Sequence, residues 1–255
     1  MGLAERKRSA NLDAAMPRRA RYMPPTHIAE TTLNETLVQS GRRGLDERQS
    51  DLLRPEGLKG GKGDVRIFYA GDMSLLAKRC VSIVGTRDVS DDGWMRAARL
   101  ARELVEAGIV IVSGLAKGVD TAALTSAISA GGKTIGVIGT PLSKAYPMEN
   151  HELQATIWRR HLLITPFAPG EVVFKTNFPK RNRVMAAVSD ASVIVEASDT
   201  SGTLHQAAEC QRLGRWLFIM RSVADDPSLQ WPRRFVGKER VVILDRTEQL
   251  LNRLQ

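Results

Sequence analysis

At 255 residues the chain is long enough for one sizeable α/β domain with extensions, because single cores stop growing near ~250 to 300 residues, and it leaves little room for a second full domain. A hydrophobic share of 43% with 25% charged residues excludes a disordered or membrane-embedded chain. The net charge of +9 points toward polyanionic partners: nucleic acid, anionic membrane or phosphorylated small molecules.

Residues 1 to 63 read as a basic N-terminal extension, partly disordered, with Pro24-Pro25 and a glycine cluster at Gly57, Gly60, Gly61 and Gly63. Two short helix candidates lie within it, Thr32 to Val38 and Asp46 to Leu53, and neither is long enough to be stable alone. The first residues carry no apolar signal segment, and no apolar run approaches the ~18 to 20 residues that cross a bilayer, so a cytoplasmic protein without a membrane partner is expected.

From Val65 the texture changes to short Val- and Ile-rich runs separated by glycines and by stretches of helical spacing, which predicts alternating β and α units over residues 64 to 220. Cys80 to Val84 reads as a strand. Gly93 to Ala107 follows as a helix with Trp94, Ala97, Ala98, Leu100, Ala101, Leu104 and Val105 on its apolar side and Gly108 ending it. Strands then alternate with helices: strand Ile109 to Val112, helix Gly118 to Ala130, strand Thr134 to Ile138, helix Asn150 to Trp158 and strand Leu162 to Ile164. Helix Arg181 to Ser189, strand Ser192 to Val195, helix Thr203 to Leu213 and strand Trp216 to Ile219 complete the series. Apolar runs joined by helical crossovers predict a doubly wound, mostly parallel sheet of the Rossmann-like type. Residues 221 to 255 read as an extension packing on this core, with a strand at Arg240 to Leu244 and a terminal helix at Arg246 to Leu254.

In open α/β sheets, ligands sit beyond the carboxyl ends of the strands, where glycines let backbone N–H groups approach phosphate and helix N-termini add partial positive charge. Four segments fall at such ends: Gly85-Thr86-Arg87, Ser113 to Asp120 (with Gly114 and Lys117), Gly139-Thr140-Pro141, and Ser198 to Thr203 (with Ser201 and Gly202). One such turn is ordinary β-to-α punctuation; four that carry hydroxyls and cations favour phosphate binding. The run Ala127 to Thr134 mimics the end of a P-loop, but it leads from a helix into a strand, the reverse of what phosphate cradling requires, and is a structural turn. Gly85 to Ser90 is not the dinucleotide fingerprint Gly-x-Gly-x-x-Gly. No cofactor is expected. Cys80 and Cys210 lie far apart without metal-ligand spacing, so neither a disulfide framework nor a metal site is expected.

The stretch Lys175 to Arg183 places four cations around Phe178 and two amides, just before and into the helix expected from Arg181. Cations meet phosphates, and an exposed ring stacks on an unpaired base at ~1 to 3 kcal/mol. The competing reading makes Phe178 a core residue and the cations a solvated face.

Taken in order, Ile83 to Arg87, Ser113 to Asp120, Gly139 to Leu142 with Tyr146-Pro147 and Glu149-Asn150, Phe178 to Arg183, and Glu196-Ala197 with Ser201-Gly202 resemble the signature motifs of the DNA-processing protein A (DprA/Smf) family. The resemblance implies a protein of natural transformation and recombination that binds and protects incoming single-stranded DNA, pairs as a homodimer and assists loading of a RecA-type recombinase. It implies no catalytic residues. It nominates Gly85, Thr86 and Arg87, then Ser113, Gly114 and Lys117, then Lys175, Phe178, Arg181 and Asn182, with Ser201 and Gly202 completing the wall of a DNA site. The chain departs from the family pattern at Thr165 to Gly170 and at Gln206-Ala207, and residues 221 to 255 are too few for the winged helix that many members carry.

Two alternatives share the fold superfamily: a sensor holding a nucleotide messenger, and a phosphoribohydrolase of the Lonely guy type. The latter needs a glutamate near the sugar, in Pro-Gly-Gly-x-Gly-Thr-x-x-Glu; here the corresponding stretch Ser198 to Gln206 lacks two of those glycines and ends in Gln206. Glu196 and Glu209 are expected to bond nearby backbone or face solvent, and His151, His161 and His205 show neither metal spacing nor a nucleophile partner.

Overall fold

The structure, a computed structural model, describes residues 22–42 and 64–254. The helix expected at Asp46 to Leu53 lies outside the described residues. Nine strands form one sheet: β1 (Ala29–Thr32), β2 (Arg66–Gly71), β3 (Cys80–Val84), β4 (Val110–Ser113), β5 (Thr134–Val137), β6 (Leu162–Thr165), β7 (Ala191–Ile194), β8 (Trp216–Met220) and β9 (Val241–Leu244). Their order is β1-β2-β6-β5-β4-β3-β7-β8-β9; the β1–β2 and β2–β6 pairings are antiparallel and the rest are parallel. The eight helices of the described residues are α1 (Leu33–Gln39), α2 (Asp91–Glu106), α3 (Val119–Ser129), α4 (His151–Arg160), α5 (Asn177–Ala187), α6 (Thr203–Arg212), α7 (Arg221–Ala224) and α8 (Thr247–Leu251).

The central strands β3 to β7 are buried at every position, as the Val- and Ile-rich runs require when helices cover both faces. The pleat sends alternate residues to opposite layers. Val81, Ile83 and Ile111 pack beneath α2 and α3, where Ala97, Ala101, Ala122 and Ala123 let the two helices approach closely. Val84, Val110 and Val112 face the other way, toward Val184, Met185, Ala207 and Cys210 of α5 and α6. A fully buried Leu104 at the end of α2 contributes on the order of 1.5–3 kcal/mol by removing its side chain from water. Both cysteines are buried free thiols, pushed up to about 12 by that burial, and are inert packing residues.

Three sequence expectations shift. Helix α2 starts two residues earlier than its apolar spacing suggests, because Ser90 caps it by accepting from Gly93 N at 3.0 Å and Asp91 and Asp92 suit its positive end. Trp94, placed on the apolar side by spacing, is 41% exposed. Helix α5 starts at Asn177 rather than Arg181, so Phe178 and Pro179 sit in its first turn, where Pro is tolerated because those N–H groups have no partner inside the helix.

Neither flanking segment stands apart from the sheet. In the part of residues 1–63 that is described, β1 pairs with β2, the Thr32–Glu35 capping box starts α1, and Leu33 and Leu37 are buried. Arg42 then closes the segment: Nε and Nη2 donate to Asp190 at 2.9 and 2.8 Å, Nη2 also donates to Lys78 O at 2.8 Å, and Nη1 donates to Leu76 O. At the other end β9 extends the sheet beside β8, and Trp231 is fully buried with Nε1 donating to Ala197 O at 3.0 Å. The apolar core outgrows the alternating βα pattern that marks it in the sequence.

The Arg42–Asp190 pair generates a stability prediction. Removing one partner of a fully buried pair costs ~3–5 kcal/mol. The Asp190 side chain keeps 26% of its exposure, so Arg42→Met should cost less, about 2–3 kcal/mol once solvent screening is allowed for. That corresponds to roughly 5–10 °C in Tm for a chain of this size, read by calorimetry or circular dichroism. An unchanged Tm would mean that the N-terminal segment does not contribute to the folded core.

Candidate nucleic-acid interface

The strand order reverses between β3 and β7, and the crevice at that switch point is where a doubly wound sheet presents its ligand. The turn after β3, the loops after β4 and β5, and the loop after β7 surround it. Three helices begin there, α3, α5 and α6, and the residues at their N-caps, Gly118, Thr176 and Gly202, supply no side-chain cap; on α6, Ser201 Oγ accepts from the first N–H, that of Thr203. Their N-termini therefore aim partial positive charge into one cleft. The cleft, about 260 Å³, is lined among others by Gly85, Thr86, Arg87, Phe178, Asn182 and Gly202, and it adjoins a smaller recess bounded by Gly114, Lys117, Gly139 and Tyr146.

Two glycines are required by close approach. A Cβ on Gly85 would lie 2.7 Å from Glu196 O, where the ends of β3 and β7 touch, and one on Gly114 would fall 1.5 Å from the Arg181 guanidinium. Gly202 has open space around its missing Cβ and lies on the exposed lip of the cleft. Around them, Thr203 Oγ1 donates to Gly85 O at 3.2 Å, Asn182 Nδ2 donates to Gly202 O at 3.1 Å, and Asp199 accepts from Trp231 N at 2.7 Å. These bonds fix the loop after β7 against β3, α5 and the C-terminal segment.

Arg181 forms the floor instead of a free phosphate contact. It is buried, Nη1 donates to Val137 O at 2.9 Å, and the same nitrogen lies 4.0 Å from Asp120. Asp120 in turn accepts from Gly114 N at 3.1 Å and Ala116 N at 3.2 Å. Burial pushes the Asp120 carboxyl up and the Arg181 guanidinium down, and each charge partly restores the other. The pair thus clamps the loop after β4 to α5, a role that residue type and spacing do not reveal because the two are distant in sequence.

Ser113 is likewise part of the scaffold: its hydroxyl is buried and donates to Ile83 O at 2.7 Å, so it is not presented to the cleft. Lys175 is exposed on the approach to α5, outside the residues that line the cleft and its adjoining recess. Lys117 is exposed and ion-paired with Glu149 at 2.5 Å. Ser201 lines the cleft and accepts from Thr203 N at 3.2 Å.

Phe178 is neither wholly core nor wholly free. The half-buried ring rests against Gly139, its centroid is 5.4 Å from that of Tyr146, and the Arg87 guanidinium lies 5.3 Å from it. Arg87 is exposed, and so is Tyr146 at 48%. Tyr146 is a lining residue that sequence reasoning did not nominate; the Tyr146-Pro147 motif marks it in the sequence, but only the fold sets it against Phe178. Glu196 receives the Ser90 N–H at 3.1 Å and the Ser90 hydroxyl at 2.6 Å at the start of α2. Among the described residues no group of His, Cys, Asp and Glu is arranged to hold a metal.

Comparison with known proteins agrees with this architecture. The family described as DNA recombination-mediator protein A matches residues 55–255. The DNA processing protein DprA of Streptococcus pneumoniae is 42% identical over 156 residues, covering 61% of this chain and 55% of the relative. Its X-ray structure superposes with a TM-score of 0.68 at 34% identity, over 78% of this chain and 70% of that one. DNA processing protein A of Helicobacter pylori, whose structure is described by its single-stranded DNA binding mode, gives 0.67 at 28% identity, over 79% and 92%. The chain spans about half the length of the curated relatives it matches. With the family match covering the whole parallel sheet and all four loops of the cleft, this chain belongs to the DNA recombination-mediator protein A family.

Proposed function

We propose that the cleft between β3 and β7 binds the backbone of single-stranded DNA, and that the protein acts as a recombination mediator that protects incoming strands and assists a RecA-type recombinase. The observation that carries this reading is the trio Arg87, Phe178 and Tyr146: an exposed cation and a second ring, 5.3 and 5.4 Å from the Phe178 ring, set where three helix N-termini converge. The cation and the helix ends suit phosphate, while the rings suit bases that are not already stacked in a duplex. Support also comes from family membership and from the single-stranded DNA binding described for the Helicobacter pylori relative. A cytoplasmic homodimer is part of the same proposal.

Hydrolysis is a weaker reading. The position where a phosphoribohydrolase needs its glutamate is Gln206, which is fully buried; its amide oxygen accepts from Ser82 and Ser192 and its nitrogen donates to Asn182 O at 2.6 Å. The carboxylate lining the cleft, Asp120, is engaged by two backbone N–H groups and by Arg181. A nucleotide sensor would use the same helix ends but has no need of the aromatic pair.

Two measurements test the proposal. Arg87→Ala should weaken binding of oligo-dT regardless of sequence and make the dependence of log Kd on log salt shallower by about 0.7, one phosphate's worth, whereas Lys175→Ala should change the slope less. Identical slopes for wild type and Arg87→Ala would remove Arg87 from the interface. Phe178→Leu keeps an apolar side chain against Gly139 but abolishes the ring, so the Tm should hold while affinity falls by ~1–3 kcal/mol at an unchanged salt slope. Lost stability with intact affinity in the folded fraction would make Phe178 a packing residue.

A further inference from the structure

A second strongly basic groove lies at the opposite edge of the sheet, beneath the amino ends of the strands. It measures about 360 Å³, and its lining carries six cations, Arg42, Lys78, Arg79, Arg215, Arg240 and Arg253, against one acid, Asp190. Part of this charge serves the fold: Arg42 neutralises Asp190, and Arg215 donates to Ala187 O at 3.2 Å, the carbonyl end of α5. The other four cations are exposed. Arg240 has Glu239 beside it at 3.8 Å, an acid that is itself 92% exposed. No acid among the described residues forms an ion pair with Lys78, Arg79 or Arg253.

The placement of the cations is regular. Lys78 and Arg79 precede β3, Arg215 precedes β8, and Arg240 precedes β9, and β3, β7, β8 and β9 are consecutive neighbours in the sheet. At ~4.8 Å per strand the row spans about 15 Å, enough for consecutive backbone phosphates and longer than a single phosphate requires. Trp216 lies at its centre, with the Arg240 guanidinium 5.7 Å and the Arg253 guanidinium 5.6 Å from its ring. The rings and stems hold both cations over the groove while their charge stays in solvent. Arg240 also has φ at 58°, a left-handed conformation in which a glycine or asparagine is the unstrained choice.

We propose that this groove is a second phosphodiester-binding site, which takes a further segment of single-stranded nucleic acid along the row from Lys78 to Arg253. The strands between the two sites are four or five residues long, so a strand in the upper cleft and a strand in the lower groove lie roughly 15 Å apart on opposite edges of one sheet. One protomer then holds two segments of nucleic acid at once. The proposal extends the reading of the upper cleft but does not depend on it, because the two sites share no residue.

The test is the number of short oligo-dT molecules bound per protomer at low salt, which counts sites whatever the oligomeric state. Wild type should bind two. Arg240→Glu/Arg253→Glu, and independently Lys78→Glu/Arg79→Glu, should bind one while retaining the tighter phase and the wild-type Tm. Arg87→Glu should lose the tighter phase and keep the lower-groove phase, whose salt slope falls by about 0.7 for each cation then neutralised in the groove. If wild type binds a single oligomer and both lower-groove variants titrate as wild type does, the proposal is overturned while the upper-cleft reading stands. If Arg87→Glu changes nothing and the lower-groove variants abolish binding, the upper reading falls and this one holds. Pyrophosphate binding the Arg87→Glu protein more tightly than oligo-dT, and lost in Arg240→Glu/Arg253→Glu, would also overturn it, by making the groove a small-anion site.

Discussion

The cleft depends on one buried ion pair. Arg181, projecting from α5, and Asp120, at the start of α3, meet beneath the carboxyl ends of β4 and β5 at 4.0 Å, both almost fully removed from water. A pair taken out of water at that cost adds little net stability, so its value lies in geometry: Asp120 holds two backbone N–H groups of the loop after β4, and Arg181 holds a carbonyl at the end of β5. The separation also requires Gly114, since any side chain there would occupy the space of the guanidinium. With that floor in place, the exposed Arg87 and the half-buried Phe178 line the cleft above it.

The doubly wound topology gives the sheet two chemically different edges. At the carboxyl edge, helix N-termini point inward and an anion is favoured even where side-chain charge is sparse; at the amino edge, helix C-termini point inward and cations are favoured locally. Arg215 against the end of α5 is explained by that rule alone. The remaining cations of the amino edge, Lys78 and Arg79 before β3, Arg240 before β9 and Arg253 after the last helix, exceed what helix ends and Asp190 call for. Exposed cations among the described residues therefore lie at both edges, Arg87 and Lys117 at the carboxyl edge and Lys78, Arg79, Arg240 and Arg253 at the amino edge. On the two proposals above, nucleic acid would be held by two faces while the core remains an ordinary apolar α/β sandwich.

The segments flanking the βα series have roles set by contacts that no local pattern announces. Tyr22 donates to Leu142 O at 3.0 Å and accepts from Gln154 at 2.8 Å, and Arg42 ties β3 to β7 from below, so residues 22–42 are bound to the parallel sheet at both ends. Trp231 does the same from the C-terminal side and, through the backbone N–H groups of Gln230 and Trp231 on Asp199, steadies the loop that carries Ser201 and Gly202. The cleft is therefore coupled mechanically to both flanks.

Much of this was legible in the residues alone. The Val- and Ile-rich runs from Cys80 onward specify a parallel sheet covered on both faces, because β-branched side chains on both sides of a strand need helices above and below; glycine-rich turns at their carboxyl ends locate the ligand edge for the same topological reason. The motif order from Ile83 to Gly202 identifies the family. What only the tertiary structure decided is which of the polar residues in those motifs open into the cleft and which are spent inside the protein. Ser113 and Arg181 share motifs with residues that line the cleft, yet the fold turns their polar groups inward, because a hydroxyl or a guanidinium satisfies a buried carbonyl as well as it does a phosphate, and Gly85 and Gly114 are there for close approach to Glu196 O and the Arg181 guanidinium. The amino-edge groove could not be read at all: its cations are separated by as many as about 210 positions in the chain and meet only because β3, β8 and β9 begin on the same side of one sheet.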